Sequence, residues 1–515
     1  ALTFFNFAMR GRNRIFVPIM KKVILFLALA LAAACPTSAQ RVTLLHTNDL
    51  HSQIDPAKQG GMARLKAAID SVRSTDSNVL LINAGDAFQG SVFFTLFEGE
   101  VEQKLMNEMG YDILIVGNHE FDNGIGKLAE VYSSANQDII ATNYDFSATP
   151  LAGMTKPYLV KTFGDRKIGF FALNIDPKGL IDAENYQGML WYDTLEAAQA
   201  MAWYLKLIEK VDKVVAITHI GYSDILGEED LAVAKHSKYI DVIIGGHTHT
   251  LIDPAGEKAL VKNADGKDVL VLQAENSGKW LGELVIDFDR DTTEAKLIPI
   301  DSRLDSRLDS AFIAQITPYR QHVDSLNNII IAKNREMMPR NSTELMNLMG
   351  DIVMAEGEAL IGGKVDMAIS NKGGIRKDLP QGDVSQGDIM SIFPFLNHVN
   401  VIEISGADLL DNFRIMAAQK GQAVSKNVDI VYNPADTTIV SAKINGKPVD
   451  PKATYKVASI DYLINGGDYM TPLTRGTLLK KSKDLIYQAV IRHLEKEYKK
   501  GKYVNVDKKV RMRPL

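Results

Sequence analysis

The sequence predicts an α/β protein in two parts: a layered α/β sandwich domain followed by a smaller α/β (α+β) domain. Its 515 residues exceed what a single hydrophobic core usually supports. Between residues 41 and 300, short apolar runs alternate with helical patterns, which is the βαβ rhythm of a layered sheet domain. Residues 335–515 have strands and turn signals of their own, including Asn445-Gly446 between two strand-like segments.

The first 40 residues have the pattern of an upstream extension and a secretory signal peptide. Lys21-Lys22 precede an apolar run at residues 23–34, and small residues follow it. Met20 is the natural start of this signal, so we interpret residues 1–19 as upstream sequence. The run is shorter than the roughly 20 residues that span a bilayer, so we expect an exported protein, periplasmic or extracellular.

The only cysteine, Cys35, excludes a disulfide framework and has two alternative fates. Residues 32–35 resemble a lipoprotein signal, in which Cys35 is acylated, and residues 37–39 are an equally good cleavage site that would release a soluble form. Acylation at Cys35 is the only membrane attachment that we expect. The net charge of -5 leaves no basic surface for a nucleic acid polymer, and the oligomeric state stays open.

Five apolar runs in the first domain each end at a cluster of metal-ligand residues. The runs cover residues 42–45, 79–82, 113–116, 214–217 and 242–244. Buried parallel strands are apolar at consecutive positions, and open α/β sheets bind their ligands beyond the carboxyl ends of the strands. We therefore expect all five clusters at one sheet edge.

These clusters supply seven oxygen and nitrogen ligands, which are Asp49, His51, Asp86, Asn118, His219, His247 and His249. If one carboxylate bridges, two cations receive four ligands each and keep positions open for water and substrate. Oxygen donors mixed with imidazole suit zinc, manganese, cobalt or iron without distinguishing among them. The sequence therefore predicts two divalent metal ions.

A charged stretch separates the two predicted domains. Residues 301–309 are a tandem four-residue repeat, and a polar amphipathic stretch continues to residue 334. Such a stretch between compact regions is typical of a linker helix, so we predict a largely helical linker at residues 301–334. A rotation of the domains about this linker is a further hypothesis.

The ligand clusters also resemble the motifs of a known superfamily. Asp49-Leu50-His51, Gly85-Asp86, Gly117-Asn118-His119-Glu120, His219 and Gly246-His247-Thr248-His249 resemble the calcineurin-like metallophosphoesterases. Residues 117–122, combined with residues 371–376 and 465–468, resemble the secreted bacterial 5'-nucleotidase family, which includes UDP-sugar hydrolases and 2',3'-cyclic phosphodiesterases. The resemblance implies a dimetal phosphoesterase domain at residues 41–300 and a substrate-specificity domain at residues 335–515.

The resemblance also implies roles for the metal-site residues. One ion would bind Asp49, His51, Asp86 and His249, the other would bind Asp86, Asn118, His219 and His247, and Asp86 would bridge them. His119 and Asp122 would form a catalytic dyad in which Asp122 orients His119. The alternative is that this pair only orders its loop. His249 stands where many nucleotidases of the family have Gln or Asn.

In the second domain, the resemblance implies six substrate-binding residues, which are Asn371, Gly373, Arg376, Phe395, Tyr462 and Asp468. Phe395 and Tyr462 would sandwich a base, and Tyr462 departs from the more usual Phe. Arg376 would contact the phosphate, while Asn371 and Asp468 would hold base or ribose hydroxyls. The alternatives are aromatic residues in the core and an arginine on the surface.

The function that these residues imply is hydrolysis of nucleoside 5'-monophosphates by a metal-activated water, for nucleotide salvage outside the cytoplasm. Rivals on the same scaffold are a 2',3'-cyclic nucleotide phosphodiesterase, a UDP-sugar or nucleotide pyrophosphatase and, more remotely, a sulfur-ester hydrolase. A rival of another class is a non-catalytic exported nucleotide-binding protein. In each of these the partner is a small-molecule nucleotide or ester.

Overall fold

The computed structural model describes residues 41–223 and 229–515. The predicted signal peptide, with Met20 and Cys35, lies outside these residues. Among the helices of the described part, none combines the length and the apolar composition needed to cross a bilayer.

The first domain contains two stacked sheets. Its strands are β1 (Arg41–Thr47), β2 (Val79–Asn83), β3 (Ile113–Ile115), β4 (Asp138–Ile140), β5 (Tyr144–Asp145), β6 (Thr155–Lys156), β7 (Tyr158–Phe163), β8 (Arg166–Asn174), β9 (Leu190–Trp191), β10 (Lys213–His219), β11 (Val242–Ile244), β12 (Leu260–Lys262), β13 (Asp268–Leu272), β14 (Trp280–Asp287) and β15 (Thr292–Pro299). One sheet has the order β15-β14-β1-β2-β3-β4-β6 and the other has the order β12-β13-β11-β10-β8-β7. The central neighbours β1, β2 and β3, like β8, β10 and β11, pair in parallel.

Helices cover the outer faces of both sheets. They are α1 (Met62–Arg73), α2 (Val92–Phe97), α3 (Glu100–Met109), α4 (Gly124–Tyr132), α5 (Thr194–Leu207) and α6 (Asp230–His236). Leu44 and Ile82 of the first sheet share a core with Phe170 and Ile217 of the second, whereas Leu45 belongs to the core under the helices. Because both faces of the central strands are covered, these strands are apolar at consecutive positions. The layered α/β sandwich predicted from the sequence is confirmed.

A helix follows the first domain where the linker is predicted. Helix α7 (Ser310–Asn327) begins at the Asp309 cap, whose carboxylate accepts from two backbone N–H groups of the first turn. Its Phe312, Ile316 and Val323 are buried in the core of the first domain. The linker boundaries and the domain rotation stay predictions.

The second domain is built around a five-stranded sheet with the order β20-β17-β24-β19-β25. Its strands are β16 (Ile330–Asn334), β17 (Met367–Ser370), β18 (Gly382–Ser385), β19 (His398–Ser405), β20 (Ala423–Val424), β21 (Val428–Tyr432), β22 (Ile439–Ile444), β23 (Lys447–Pro448), β24 (Thr454–Ile460), β25 (Thr477–Leu485) and β26 (Met512–Pro514). Its helices are α8 (Thr343–Ile361), α9 (Gln386–Ile392), α10 (Gly406–Ala418), α11 (Asp461–Ile464) and α12 (Ile486–Tyr498). Asn445 and Gly446 have positive φ angles in the turn between β22 and β23, as the sequence predicts.

Candidate functional site

The seven candidate ligands meet where the strands of the two stacked sheets end. Strands β1, β2 and β3 of the first sheet precede Asp49, Asp86 and Asn118. In the second sheet, His219 is the last residue of β10, and β11 precedes His247. The expectation of a single sheet edge is therefore wrong. The clusters lie at adjacent edges of two sheets because the sandwich stacks one set of parallel strands on the other.

The ligand atoms form two adjoining groups. One contains Asp49, His51 and His249, and the other contains Asp86, His219 and His247, with the ligand atoms of each group within 4.8 Å of one another. In the first group, the Nε2 atoms of His51 and His249 are 2.9 Å apart. In the second, His219 Nε2 lies 3.1 Å from Asp86 Oδ2.

Two further contacts link Asp86 to the first group and Asn118 to the second. The Oδ2 atom of Asp86 is also 4.0 Å from His51 Nε2 in the first group, so this carboxylate stands between the two. The Oδ1 atom of Asn118 lies 2.9 Å from His247 Nδ1. All seven ligands named from the sequence are therefore brought together.

The chemistry of these donors fits two divalent cations. Asp49 and Asp86 are at most 1% exposed, and such buried carboxylates are costly without a cation. Burial tends to raise the pKa of Asp86, but the nearby imidazoles of His219 and His119 hold it well below its ordinary value. The buried Nε2 of His219 has no hydrogen-bond partner in the described part of the chain and faces this carboxylate. A pair of cations would satisfy all of these atoms.

The backbone carries strain at the ligands. Asp49, His51, Asp86, His247 and His249 have φ angles of 49°, 48°, 53°, 78° and 54°. Left-handed conformations of non-glycine residues cost on the order of 1–3 kcal/mol each and persist where the surroundings enforce them. Holding these side chains in position therefore costs the folded protein part of its stability.

Glu120 enforces the conformation of the Asp86 loop, a role that the sequence analysis did not assign. This carboxylate is 3% exposed and accepts hydrogen bonds from the backbone N–H groups of Asp86 at 3.0 Å, Ala87 at 2.7 Å and Gly117. Gly117 must be glycine, because a Cβ there would lie 2.2 Å from Asp86 Oδ1. The signal was in the Gly117-Asn118-His119-Glu120 motif, but no sequence pattern shows which N–H groups a carboxylate will reach.

A second buried carboxylate supports the loop after His51. Glu102 in helix α3 is fully buried and accepts a hydrogen bond from the hydroxyl of Ser52, which lies 2.6 Å from the hydroxyl of Ser91. Its other oxygen has no hydrogen-bond partner among the described residues. Burial raises the pKa of Glu102 to about 7.

This raised pKa predicts how stability depends on pH. Between pH 4.5 and about 7, Glu102 stays protonated in the folded protein, whereas in the unfolded chain, where its pKa is 4.5, it loses the proton. The contribution of Glu102 to the free energy of unfolding therefore falls as the pH rises through this range. The variant Glu102→Gln cannot ionise, so its unfolding free energy relative to wild type should grow by about 3 kcal/mol between pH 4 and pH 8. Urea unfolding of the metal-free proteins across this range measures the difference. Glu100→Gln, which alters an exposed carboxylate of the same helix, is the control, and a difference that does not vary with pH would contradict the prediction.

His119 and Asp122 form a hydrogen-bonded pair beside the ligand groups. His119 Nδ1 is 3.0 Å from Asp122 Oδ2, and the backbone N–H of His119 donates to Asp86 Oδ1 at 2.9 Å. Burial lowers the pKa of His119, but the charges of Asp122 and Asp86 outweigh this and raise it overall. The pairing leaves Nε2 of His119 as the ring nitrogen available to a substrate.

A cleft of about 350 Å³ lies between the two domains. At one end it is lined by Asn118, His119, Asp122 and His247 of the first domain. All six predicted substrate-binding residues line its other walls, namely Asn371, Gly373, Arg376, Phe395, Tyr462 and Asp468. The first domain also contributes lining residues that the sequence analysis missed, which are Leu180, Ile181, Asp182, Glu184 and Asn185. These belong to a connection without a ligand motif, so only the domain arrangement shows their place.

The aromatic and cationic side chains of the second domain face the cleft. Phe393 is 3% exposed and lies in the core, whereas Phe395 lines the cleft with its ring centroid 5.9 Å from that of His119. Arg376 lies over the Phe395 ring, 5.6 Å from its centroid, and its Nη2 is 3.5 Å from Gln89 Oε1 of the first domain. Phe395 and Arg376 therefore lie at the cleft, and the alternatives of a core position for Phe395 and a surface position for Arg376 are wrong.

A stacked α/β sandwich with two carboxylate and imidazole groups at its strand ends, next to a His–Asp pair, defines the class of metal-dependent phosphoesterases. Residues 42–251 match the family of calcineurin-like phosphoesterases, and residues 323–475 match the 5'-nucleotidase C-terminal domain. The two matches therefore identify a calcineurin-like phosphoesterase domain followed by a 5'-nucleotidase C-terminal domain, and calcineurin-like phosphoesterases use two divalent metal ions. The resemblance stated from the sequence is confirmed.

Known relatives agree with this assignment. The trifunctional nucleotide phosphoesterase protein YfkN of Bacillus subtilis is 28% identical over 85% of this chain, which spans only 32% of that longer protein. The 5'-nucleotidase of Bos taurus is 26% identical over 83% of both chains. The crystal structure of a 5'-nucleotidase precursor from Thermus thermophilus has a TM-score of 0.82 and 28% identity, covering 92% of this chain and 99% of that one.

Proposed function

We propose that this protein is an exported two-metal phosphohydrolase that releases phosphate from nucleoside 5'-monophosphates, for nucleotide salvage outside the cytoplasm. The observation that carries the proposal is the single cleft that joins His119 and Asn118 at the ligand groups to Phe395 and Tyr462. A phosphoryl group and a base attached to it require these two kinds of surface within one cavity. The relatives named nucleotidases support the same substrate class.

In this proposal the ligand groups hold two ions, as the family uses. Asp49, His51, Asp86 and His249 would hold one ion, and Asp86, Asn118, His219 and His247 would hold the other. Two divalent ions bound there would supply Lewis acidity at the phosphoryl group and would lower the pKa of the attacking water toward about 7. The residues of the chain set the geometry, since both carboxylates and the imidazoles of His51 and His219 are buried.

The remaining polar groups act on the substrate directly. His119, held by Asp122, donates from Nε2 to the phosphoryl group or to the leaving oxygen. Arg376 pairs with the phosphoryl oxygens, where a guanidinium can donate two parallel hydrogen bonds. Phe395 and Tyr462 stack on the base, a contact worth roughly 1–3 kcal/mol per ring that distinguishes bases weakly. We therefore expect broad use of nucleotides.

A phosphate-release assay combined with chromatographic separation of the products tests the proposal, because cleavage of a sugar nucleotide or of a cyclic ester does not by itself release orthophosphate. AMP, UDP-glucose and 2',3'-cyclic AMP are each incubated with the protein and Mn²⁺ or Zn²⁺, with and without a chelator. Release from AMP that the chelator abolishes is the expected result. Turnover of only the cyclic ester or only the sugar nucleotide would replace the proposed substrate by one of the rival substrates. Binding of AMP without any turnover would support an exported nucleotide-binding protein.

The exported location is part of the same proposal. It depends on the signal peptide at residues 20–39 and on the fate of Cys35, so it needs its own measurement. Mass spectrometry of the mature protein is expected to show an amino terminus at residue 40 or an acylated Cys35. A mature chain that retains residues 20–34 would contradict export by this signal.

A further inference from the structure

The wall of the cleft where the base would stack contains a tyrosine whose hydroxyl both donates and accepts a hydrogen bond within the protein. The hydroxyl of Tyr462 donates to Asp468 Oδ1 at 2.9 Å and accepts from the backbone N–H of the same residue at 3.1 Å. The ring packs directly on Gly467, where a Cβ would lie 2.5 Å from the nearest ring carbons. One face of the ring is thus closed by the chain, and the hydroxyl is tied to a single acidic residue.

Each carboxylate oxygen of Asp468 accepts a hydrogen bond from another side chain of the protein. Its Oδ1 accepts from Tyr462, and its Oδ2 accepts from Asn371 Nδ2 at 2.8 Å. Its own backbone is held in a left-handed conformation with a φ angle of 51°, and Gln419 donates to its carbonyl oxygen at 2.6 Å. Asn371 Oδ1 is buried, 2.8 Å from where a Cβ of Gly374 would be, so it is covered by the chain.

The pairing of Asp468 has a consequence for substrate discrimination. A site rejects an analogue that lacks a hydroxyl when the absence of that hydroxyl leaves a polar group of the protein unpaired. Both oxygens of Asp468 keep their protein donors whether or not a sugar hydroxyl is present. The carboxylate that lines the cleft therefore has little means of telling a ribose from a deoxyribose.

We propose that Tyr462 is a specificity-determining residue whose hydroxyl, by occupying Asp468, makes the enzyme accept ribonucleoside and deoxyribonucleoside 5'-monophosphates alike. This inference rests on the proposed function and adds the sugar class to it. Phenylalanine at this position would keep the stacking ring and leave Oδ1 without its donor. Selectivity for a sugar hydroxyl should then appear, because only a hydroxylated substrate would pair that oxygen.

The variant Tyr462→Phe tests this inference. We measure kcat/KM for AMP, 2'-deoxy-AMP and 3'-deoxy-AMP at one metal concentration. Wild type should treat the three substrates within about threefold of one another, whereas the variant should prefer AMP over at least one deoxy analogue by about tenfold more than wild type does, which is the effect of one hydrogen bond to a charged group. Tyr455→Phe is the matched control, since its hydroxyl accepts from the Asp450 N–H in the same domain and the cleft residues do not include it. The control should leave the substrate ratios unchanged.

Two results would overturn the inference. The first is a wild-type preference for AMP above about threefold. The second is unchanged substrate ratios in Tyr462→Phe, and an equal loss on all three substrates would then mean that the hydroxyl only orders the turn around Asp468. Calorimetric binding of adenosine and 2'-deoxyadenosine provides a measurement that does not depend on turnover. Unequal affinities in wild type would defeat the sugar inference, whereas absence of phosphate release from every nucleotide together with equal affinities would defeat the proposed function alone.

Discussion

Replacing Asp86 by asparagine is expected to lower kcat for phosphate release from AMP on the order of 10³-fold. The Asp86 carboxylate lies 3.1 Å from His219 and 4.0 Å from His51, so it is the charge that both ligand groups share. A loss of about 4 kcal/mol of charge stabilisation corresponds to this factor, and a metal ion supplies several kcal/mol at a phosphoryl group. Steady-state assays with saturating Mn²⁺ measure the loss.

Metal content provides a readout for the same variant that is independent of activity. Wild type passed through a desalting column should retain about two divalent ions per chain, as a dimetal site implies, and Asp86→Asn should retain fewer. Asp55→Asn is the control, because that carboxylate pairs with Arg320 and belongs to neither ligand group. An Asp86→Asn protein with two tightly held ions and wild-type turnover would remove Asp86 from the site.

The second large effect is expected from His119→Ala, which should lower kcat by roughly 10²–10⁴-fold, the range for general acid or base groups. His119 contacts Asp122 and the cleft but is not a member of either ligand group. The metal content should therefore stay that of wild type, and KM should change much less than kcat. Kinetics and metal analysis on the same sample measure both.

A matched control separates chemistry from loop order in this experiment. His236→Ala removes an exposed histidine at the end of helix α6 and should leave kcat unchanged. If His119 only ordered its loop, His119→Ala would lose metal and melt earlier while the residual loaded enzyme kept its kcat. Full turnover with both ions bound would end the assignment of His119 to catalysis.

The sequence was informative about the site because each ligand lies at the end of an apolar strand or within a few residues after it. Asp49 and His51 come just after β1, and His247 and His249 come just after β11, so the local pattern identifies them without any knowledge of their partners. The same local pattern did not predict which sheet each strand belongs to. A parallel strand has the same appearance in either layer of a sandwich, so the sequence could not show that β10 and β11 belong to a second sheet.

In the second domain, too, short motifs identify the residues, whereas their contacts are shown only by the structure. Phe395, Arg376 and Tyr462 could be named through short motifs, and the structure places all three at the cleft. What those motifs cannot express is that the tyrosine hydroxyl reaches Asp468, or that residues 180–185 of the first domain complete the wall. Such contacts depend on turn geometry and on how two domains meet.

The sequence by itself determined the candidate functional side chains of this protein. It showed which side chains offer metal ligands, which pair resembles a catalytic dyad and which residues resemble a nucleotide site. Tertiary structure decided how they combine. It divided the ligands between two stacked sheets, set Asp86 between the two groups, placed Glu120 under its loop and closed Tyr462 onto Asp468. The physical reason is that ligand identity follows from residues adjacent along a strand, whereas shared charges and paired oxygens depend on distances between segments that the chain brings together only when it folds.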